Sequence, residues 1–297
     1  MAADYPSQPI KVLIPFAAGG TTDVSFRKLG SIVEKTLKQP IVIENKPGGS
    51  GTIAIGTVAR SKPDGYTLGA ITSSPAFITP GLRDVGYDPA KDLTPILNYS
   101  GPHHGVVVLA SSKWKTMADL IADAKANPGT ITYGTAGTFA GAHISFLYLE
   151  HLTGAKFTHV PFKGQSPATA ALLGGHVSMA LVPAYADYVK AGKVRVLADM
   201  DVSRDPEIPD VPTWHELGYD WEFPSVVGLV APANLPEDIR AKLEAAFMQA
   251  AATPEFKEFM DKVHQPVRLM DGAAFGKLIV KNALAYKKAI TDLGLHE

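Results

Sequence analysis

The chain has 297 residues, of which 46% are hydrophobic and 19% are charged, and its formal net charge at pH 7 is −1. This length predicts two domains, and the balanced charge argues against nucleic acid or an anionic membrane as a partner. The apolar stretches at 105–110 and 226–231 are far shorter than the roughly 20 residues that span a bilayer, and the absence of cysteine excludes disulfides, cysteine nucleophiles and thiolate metal sites.

The first hundred residues alternate predicted strands and helices. In order, they are a strand at 11–16, a small-residue loop at 17–22, a helix at 23–37, a strand at 40–44, a turn at 47–51, a helix at 52–60 and a strand at 66–72. A helical stretch and a strand at 95–99 follow. This alternation indicates an α/β fold with a mostly parallel sheet.

The pattern restarts near Gly101, which predicts the start of a second α/β domain. Its elements are a strand at 106–110, a helix at 117–126, a strand at 131–134 and a helix at 142–152, then shorter elements at 157–160, 167–173, 179–182 and 194–198. A polar loop at 203–212 suits a domain surface, and the tail from Leu235 is mainly helical. The strand at 131–134 runs into a second small-residue loop, at 137–141, so both domains contain the same strand, loop and helix arrangement.

The two loops predict an anion site. Glycines such as Gly19 and Gly20 let backbone N–H groups approach a ligand where the next helix presents its positive end, and Gly137 and Gly141 offer the same device in the second domain. A carboxylate bound by both loops needs no arginine. Two alternatives stay open: the glycines only make tight turns, and Thr21 or Thr22 caps the helix with Asp23 in its first turn.

Several segments resemble the Bug-type periplasmic substrate-binding proteins, the receptors of tripartite tricarboxylate transporters. The similarity begins in the segment Ile14-Pro15-Phe16-Ala17-Ala18-Gly19-Gly20-Thr21-Thr22-Asp23 and continues at 44–49, 160–164, 172–177, 190–195, 209–213 and 228–232, so that it spans nearly the whole chain. The resemblance implies two Rossmann-like domains joined by crossover strands, as in type II periplasmic binding proteins, with the ligand in a cleft between them. It also implies one discontinuous domain at 1–100 plus 225–297 and a second at 101–224.

The resemblance further implies the residues that hold the ligand carboxylate, partly through ordered waters. They are Phe16, Ala18, Gly19, Gly20, Thr21, Thr22 and Asp23 of the first loop and Thr138, Phe139, Ala140, Gly141, Ala142 and His143 of the second. Phe162, in one of the shared segments, is a further candidate for contact with the ligand. Ser73 and Ser74, after a strand end, and Gln165 and Tyr185 are candidates for the distal end of the ligand, whereas Phe77 is expected in the core.

Three departures from the family pattern bear on the ligand. Phe139 replaces a small or polar residue, and it either narrows the cleft, stacks on a ligand ring or belongs to the core. Ser178 stands where aspartate is frequent. His103 and His104 form an unusually basic segment, for which surface or capping roles are favoured over contact with a distal carboxylate.

The predicted function is therefore that of a periplasmic, monomeric receptor that binds a small organic carboxylate, with a dicarboxylate favoured, and delivers it to membrane transporter subunits. We expect no catalysis, cofactor, metal, nucleic acid or direct membrane insertion. The alternative is a carboxylate sensor with a signalling partner. The start, Met1-Ala2-Ala3-Asp4, resembles a mature end after removal of a signal peptide, with an added Met1, and a native cytosolic start is the alternative.

Enzyme motifs are incomplete. Residues 49–54 match the dinucleotide pattern G-x-G-x-x-A, but the strand at 66–72 ends without the acidic residue that would hold the ribose, which disfavours an NAD-dependent oxidoreductase. The segment around Ser50 lacks the closing glycine of a hydrolase elbow, and His215-Glu216 lacks the second histidine of a zinc protease.

Overall fold

The structure is a computed structural model that describes residues 5–16, 18–162, 164–183 and 185–295. Residues 1–4, and with them the predicted mature end, lie outside the described residues, as do Ala17 and Lys163 of the shared segments. The chain divides into two compact units, one made of residues 1–101, 226–291 and 295–297 and the other of residues 102–225 and 292–294. The predicted division into folding domains at 101 and 225 stays a prediction.

Unit 1 contains a six-stranded sheet in the order β11-β4-β10-β3-β1-β2. Its strands are β1 (Ile10–Ile14), β2 (Ile41–Asn45), β3 (Thr67–Thr72), β4 (Leu93–Ser100), β10 (Val227–Pro232) and β11 (Val267–Asp271). Its helices are α1 (Thr21–Leu37), α2 (Thr52–Ala59), α3 (Thr79–Leu82), α8 (Glu237–Ala252), α9 (Pro254–Lys262) and α10 (Gly272–Asp292), with a π-helical segment at Ser74–Ile78. Apolar residues of β1, α1, α8 and α9 form its core, and Phe77 is fully buried, as predicted.

Unit 2 contains a five-stranded sheet in the order β7-β6-β8-β5-β9. Its strands are β5 (Gly105–Leu109), β6 (Thr132–Thr135), β7 (Thr158–Pro161), β8 (Met179–Val182) and β9 (Val194–Asp199). Its helices are α4 (Met117–Ala126), α5 (Gly141–Thr153), α6 (Gln165–Leu173) and α7 (Ala186–Lys190).

Both sheets are mixed, so the prediction of a mostly parallel sheet is wrong. In unit 1, β1 pairs in parallel with β2 and β3, but β10 lies antiparallel between β3 and β4. In unit 2, β6 pairs in parallel with β7 and β8, while β5 is antiparallel to β8 and β9. The physical reason is connectivity: β10 follows the whole of unit 2 in sequence and is not bound to the helix crossover that makes consecutive strands parallel.

Candidate functional site

In unit 1, three loops follow the three mutually parallel strands. Because β1, β2 and β3 run in one direction, the segments after Ile14, Asn45 and Thr72 all lie at one edge of the sheet. Such carboxyl edges are where open α/β sheets bind ligands. The structure therefore brings the first loop and the Ser73–Ser74 segment to the same edge.

A buried carboxylate fixes the first loop. Asp23 is 2% exposed, and it accepts hydrogen bonds from the Gly19 N–H (2.8 Å), from Asn45 Nδ2 (2.9 Å) and from Arg27 Nε (3.0 Å). Asn45 also donates to the carbonyl of Phe16 (3.0 Å), which ties the end of β2 to the loop. Burial alone raises the pKa of Asp23, but these hydrogen bonds outweigh it and hold the pKa below its usual value. Asp23 thus holds the loop, and the Gly19 N–H is already engaged.

The start of α1 is open. Gly20 is the N-cap with an extended backbone, and no described side chain caps the helix there. Thr21 and Thr22 are its first two residues, so the prediction that either of them is the N-cap is wrong. The first amides of an α-helix have no acceptor inside the helix. Ala18, Gly19, Gly20 and Thr21 are exposed, whereas Thr22 is buried and Phe16 is half-buried.

Only one of the two loop glycines is needed for the turn. Gly19 has φ +80°, a left-handed conformation that favours glycine, but Gly20 has φ −72° and ψ 164°, which any residue can adopt. The alternative that both glycines merely make a tight turn therefore fits Gly19 and leaves Gly20 unexplained.

Close packing accounts for the glycine-rich motif at 49–54. Gly48, Gly49, Ser50 and Gly51 all have positive φ, and a Cβ at Gly51 would lie 3.1 Å from Pro15 and 3.2 Å from Pro75. These glycines let the segment after β2 pack between the first loop and the segment after β3. The motif thus has a structural explanation that involves no dinucleotide.

The two serines after β3 differ in their availability. Ser73 is buried, and its Oγ accepts the Val226 N–H at 3.1 Å, which ties this edge to the start of β10. Ser74 is half-buried and begins the π-helical segment. Of the two predicted distal contacts, Ser74 is the one whose side chain is open to solvent.

In unit 2, the second loop follows β6 and has two residues with positive φ. Gly137 has φ +150° and Phe139 has φ +57°, which is rare for a bulky residue. Phe139 is half-buried with its ring 5.7 Å from that of His143, so it is not a member of the buried core. Thr138 is exposed, Ala140 is half-buried, and Gly141 and Ala142 are buried in the first turn of α5.

Two neutral histidines hold this loop. The Phe139 N–H donates to His143 Nδ1 (2.9 Å), and the His143 ring stacks on His159 at a centroid distance of 3.7 Å. His159 Nε2 lies 2.7 Å from Thr135 Oγ1, which in turn donates to the carbonyl of Gly137 (3.0 Å). Burial lowers the pKa of His143 to about 3, with a further contribution from His159, and that of His159 to about 4. Both rings are therefore uncharged at neutral pH.

Other predicted residues gather at the same edge, because β6, β7 and β8 are parallel and end there. Phe162 is half-buried after β7 and lies against Gly134, where a Cβ would be 3.1 Å from its ring. Gln165 begins α6, and its Nε2 lies 3.2 Å from Nε2 of His104. Tyr185, after β8, is 2% exposed, and its burial, followed by the charge of Asp199, raises the pKa of its hydroxyl.

The prediction of a surface role for the two histidines is wrong, whereas the predicted capping role stays a prediction. His103 and His104 are each 6% exposed. Nδ1 of His103 lies 2.7 Å from the carboxylate of Asp199, and the ring of His104 packs edge-on against Phe223 at 4.9 Å. The pairing with Asp199 explains why this basic segment is buried: β5 and β9 are adjacent strands, and Asp199 ends β9 beside Gly105, the first residue of β5.

Three helices that start at these edges have no cap. None of the described side chains caps α1, α5 or α6, whose N-caps are Gly20, Ala140 and Gly164, and α5 and α6 have no acidic residue in the first turn. Away from these edges, Thr116 caps α4 and Thr253 caps α9, while α8 also lacks a side-chain cap but has two acidic residues in its first turn. The first-turn amides of α1, α5 and α6 are therefore donors for an acceptor from outside the chain.

The described residues also bear on metal binding and on membrane insertion. They contain no group of three or more His, Asp or Glu that could hold a metal ion. None of the helices described is long and apolar enough to cross a membrane.

Sequence comparison finds one family over almost the whole chain. A model described as "Tripartite tricarboxylate transporter family receptor" matches residues 25–295. A Cupriavidus necator relative, described as a UPF0065 protein in the gbd 5' region, is 39% identical over 295 residues, which cover 99% of this chain and 90% of the relative. Protein BugT of Bordetella pertussis is 34% identical over 223 residues, or 73% of this chain and 68% of BugT.

Solved structures give the same result. A TctC solute-binding protein from Polaromonas has a TM-score of 0.85 at 30% identity and covers 97% of this chain and 99% of its own. A Rhodopseudomonas palustris protein solved with adipate has a TM-score of 0.84 at 27% identity and covers 99% of this chain and 100% of its own. MatC of the same species, solved with bound malate, has a TM-score of 0.81 at 28% identity and covers 96% of this chain and 100% of its own. The two-domain α/β fold of periplasmic binding proteins is confirmed, and these neighbours are binding proteins rather than enzymes.

Some structural residues of the loops were not predicted. Arg27, Asn45, Thr135 and His159 hold the two loops, and the sequence signal that could have found Asn45 and Thr135 is their position at the last residue of a strand. The prediction that one ligand contacts both loops in a cleft stays a prediction.

Proposed function

The chain belongs to the family of tripartite tricarboxylate transporter receptors, and on that premise we propose that it binds a small organic carboxylate and delivers it to a membrane transporter. One observation carries the carboxylate class. The helices that start at the carboxyl edges of the two sheets, α1, α5 and α6, have no side-chain cap among the described residues, and α5 and α6 also have no acidic residue in the first turn. By contrast, Thr116 and Thr253 cap α4 and α9, and α8, which is also uncapped, has two acidic residues in its first turn.

A carboxylate supplies what these helix starts lack. Its oxygens accept hydrogen bonds from the first-turn amides, and its charge interacts favourably with the positive end of the helix. Charge-assisted hydrogen bonds contribute about 1.5 to 3 kcal/mol each, so a few of them offset association costs and leave micromolar affinity. The relatives solved with malate and adipate support a dicarboxylate as the favoured ligand.

Gly20→Val tests the first loop. The backbone of Gly20 is extended, so valine is compatible with its φ and ψ, and we expect the branched side chain beside the first turn of α1 to hinder the approach of a ligand to the first amides. We expect normal folding and a 10- to 100-fold loss of affinity for every carboxylate that binds the native protein, as for one hydrogen bond to a charged group. A thermal-shift screen of organic acids first identifies the carboxylates that bind the native protein, and isothermal titration then measures the affinity of both proteins for them.

Thr253→Val is the matched control. It places the same side chain at the N-cap of α9, where Thr253 Oγ1 accepts the Phe256 N–H, so it lowers stability by about 1 kcal/mol and leaves affinity unchanged. Normal carboxylate binding by a folded Gly20→Val protein would show that the first loop is not the site.

Delivery to a transporter, a periplasmic location and a monomeric state are further parts of this proposal. Membrane components reconstituted in vesicles should take up labelled ligand only when the receptor is added. Cell fractionation and light scattering test location and mass. A receptor that binds ligand but supports no uptake, and instead changes the activity of a signalling partner, would contradict the transport role.

A further inference from the structure

We propose that Gln165 determines specificity by accepting a hydrogen bond from a hydroxyl or ammonium group of the ligand, so that the protein prefers a carboxylate with such a donor over an unsubstituted one. This inference rests on the proposed function, because it concerns the same ligand. It goes beyond that function by naming the substituent that the ligand carries and the residue that recognises it.

Gln165 lies where a ligand contact is possible. It is the first residue of α6, one of the uncapped helices at the carboxyl edge of the unit 2 sheet, and its side chain is half-buried. Its Nε2 contacts His104, the residue immediately before β5. Since β5 is adjacent to β8, the contact places the Gln165 amide at the same edge as the segment that follows β8.

His104 fixes which end of the amide is available. Its Nδ1 lies 3.1 Å from the carbonyl of Pro102, and a carbonyl can only accept, so Nδ1 is the donor of that contact. Its Nε2 lies 3.2 Å from Nε2 of Gln165, which can only donate, so Nε2 of His104 is the acceptor. The amide oxygen of Gln165 consequently points away from His104.

The remaining oxygen is a pure acceptor. No hydrogen bond to Oε1 of Gln165 is seen within the described part of the chain; the other side-chain hydrogen bond at this residue runs from Thr169 Oγ1 to its backbone carbonyl. An acceptor repels a carboxylate oxygen and gains nothing from a methylene group, but it pairs with a hydroxyl or an ammonium. A ligand without a donor leaves this oxygen desolvated and unpaired, which discriminates against that ligand.

The packing keeps His104 in this orientation. Its ring is 6% exposed and rests edge-on against Phe223, whose N–H donates to the carbonyl of Met200 (2.7 Å). The Met200 N–H in turn donates to the carbonyl of His104 (2.8 Å). His104 is thus a positioning residue, and Gln165 is the residue that would touch the ligand.

Matched acid pairs test the proposal. Isothermal titration with succinate against malate and aspartate, and with glutarate against 2-hydroxyglutarate, compares ligands that differ by one donor group. We expect the native protein to prefer a donor-bearing acid about tenfold, as for one net hydrogen bond near the upper end of its usual range. Gln165→Met, which keeps the length of the side chain without its amide, should bring the ratio close to one, because it weakens binding of the donor-bearing acid and removes the desolvation cost that the unsubstituted acid incurs.

Two further variants separate the roles. Gln249→Met makes the same change on the exposed face of α8 in unit 1, and it should leave the ratio unchanged. His104→Phe keeps a ring against Phe223 but removes the acceptor for the Gln165 amide, so it should reduce the ratio while Gln165 is still present. A full ratio in His104→Phe would contradict the orienting role of His104.

The outcomes for the two proposals differ. If no carboxylate of any kind binds the native protein, the receptor function fails and this inference fails with it. If carboxylates bind but unsubstituted acids bind as tightly as their donor-bearing partners, or if Gln165→Met keeps the native ratio, the receptor function stands and the role of Gln165 is overturned.

Discussion

Replacing Asp23 by asparagine should both destabilise the protein and loosen the first loop. The carboxylate accepts from the Gly19 N–H, from Asn45 Nδ2 and from Arg27. Asparagine keeps the shape but has one acceptor oxygen and no charge, so at least one donor is left facing an NH₂ group. Hydrogen bonds to a charged group contribute about 1.5 to 3 kcal/mol, and the half-exposed Arg27 contributes little. We therefore expect a loss of about 2 kcal/mol at pH 7.

The pH dependence distinguishes this cause from a general defect. The pKa of Asp23 is lower in the folded state than in the unfolded state, so its contribution is present above the unfolded value of about 3.9 and is lost as the pH falls through the folded value. Urea unfolding of the native protein and Asp23→Asn should therefore show a difference that is constant from pH 5 to 8 and shrinks below pH 4.

Glu44→Gln is the control for this experiment. It removes a carboxylate from an exposed pair with Lys11, in which both side chains are about half exposed, and should cost well under 1 kcal/mol. The reasoning is refuted if Asp23→Asn unfolds at the native midpoint at pH 7, or if its deficit persists unchanged at pH 3.

Two further predictions concern buried groups away from the loops. Glu150 is 7% exposed, and burial raises its pKa to about 7, so its charge opposes folding as the pH rises from about 4.5 past 7. Glu150→Gln should raise the free energy of unfolding by about 3 kcal/mol at pH 8 and change it little near pH 4.5. Denaturant titration at the two pH values measures this, and an equal gain at pH 4.5 and pH 8 would contradict the prediction. Gly228→Ala should lower the free energy of unfolding by about 2 kcal/mol or more, because the added Cβ would clash with the ring of Phe275 and lie 2.6 Å from the carbonyl oxygen of Leu97. Gly276→Ala is the control and should be tolerated, because its Cβ would lie 3.4 Å from Pro95. Thermal unfolding of both variants measures the difference.

The sequence predicted the family, the two-domain α/β class and most strands, because alternating apolar segments and small-residue loops are local signals. It did not predict that both sheets are mixed. The antiparallel insertion of β10 between β3 and β4 depends on residues more than 120 positions apart, and no local period reports that pairing. The strand β11, inside a tail predicted as mainly helical, was missed for the same reason.

The site was predicted at the level of loops rather than of individual roles. Glycine and threonine patterns located the two loops, but Asp23 looked like a helix-start residue and proved to be the buried acceptor that fixes Gly19. His103 and His104 looked like surface residues because two adjacent histidines are polar. Their burial depends on Asp199 and Phe223, which lie about 100 residues away in sequence, so only the folded chain could reveal it.

The uncapped helix starts connect stability with binding. A side-chain cap contributes about 1 kcal/mol to a helix, so the open starts of α1, α5 and α6 forgo stability that Thr116 and Thr253 provide for α4 and α9. An external carboxylate that binds such amides supplies the missing acceptor only to the folded chain. By linkage, a ligand at 100 times its dissociation constant adds about 2.7 kcal/mol to the free energy of unfolding, which is more than the loss of one cap removes. The same open amides that reduce the stability of the free protein are therefore those expected to make its stability depend on the ligand.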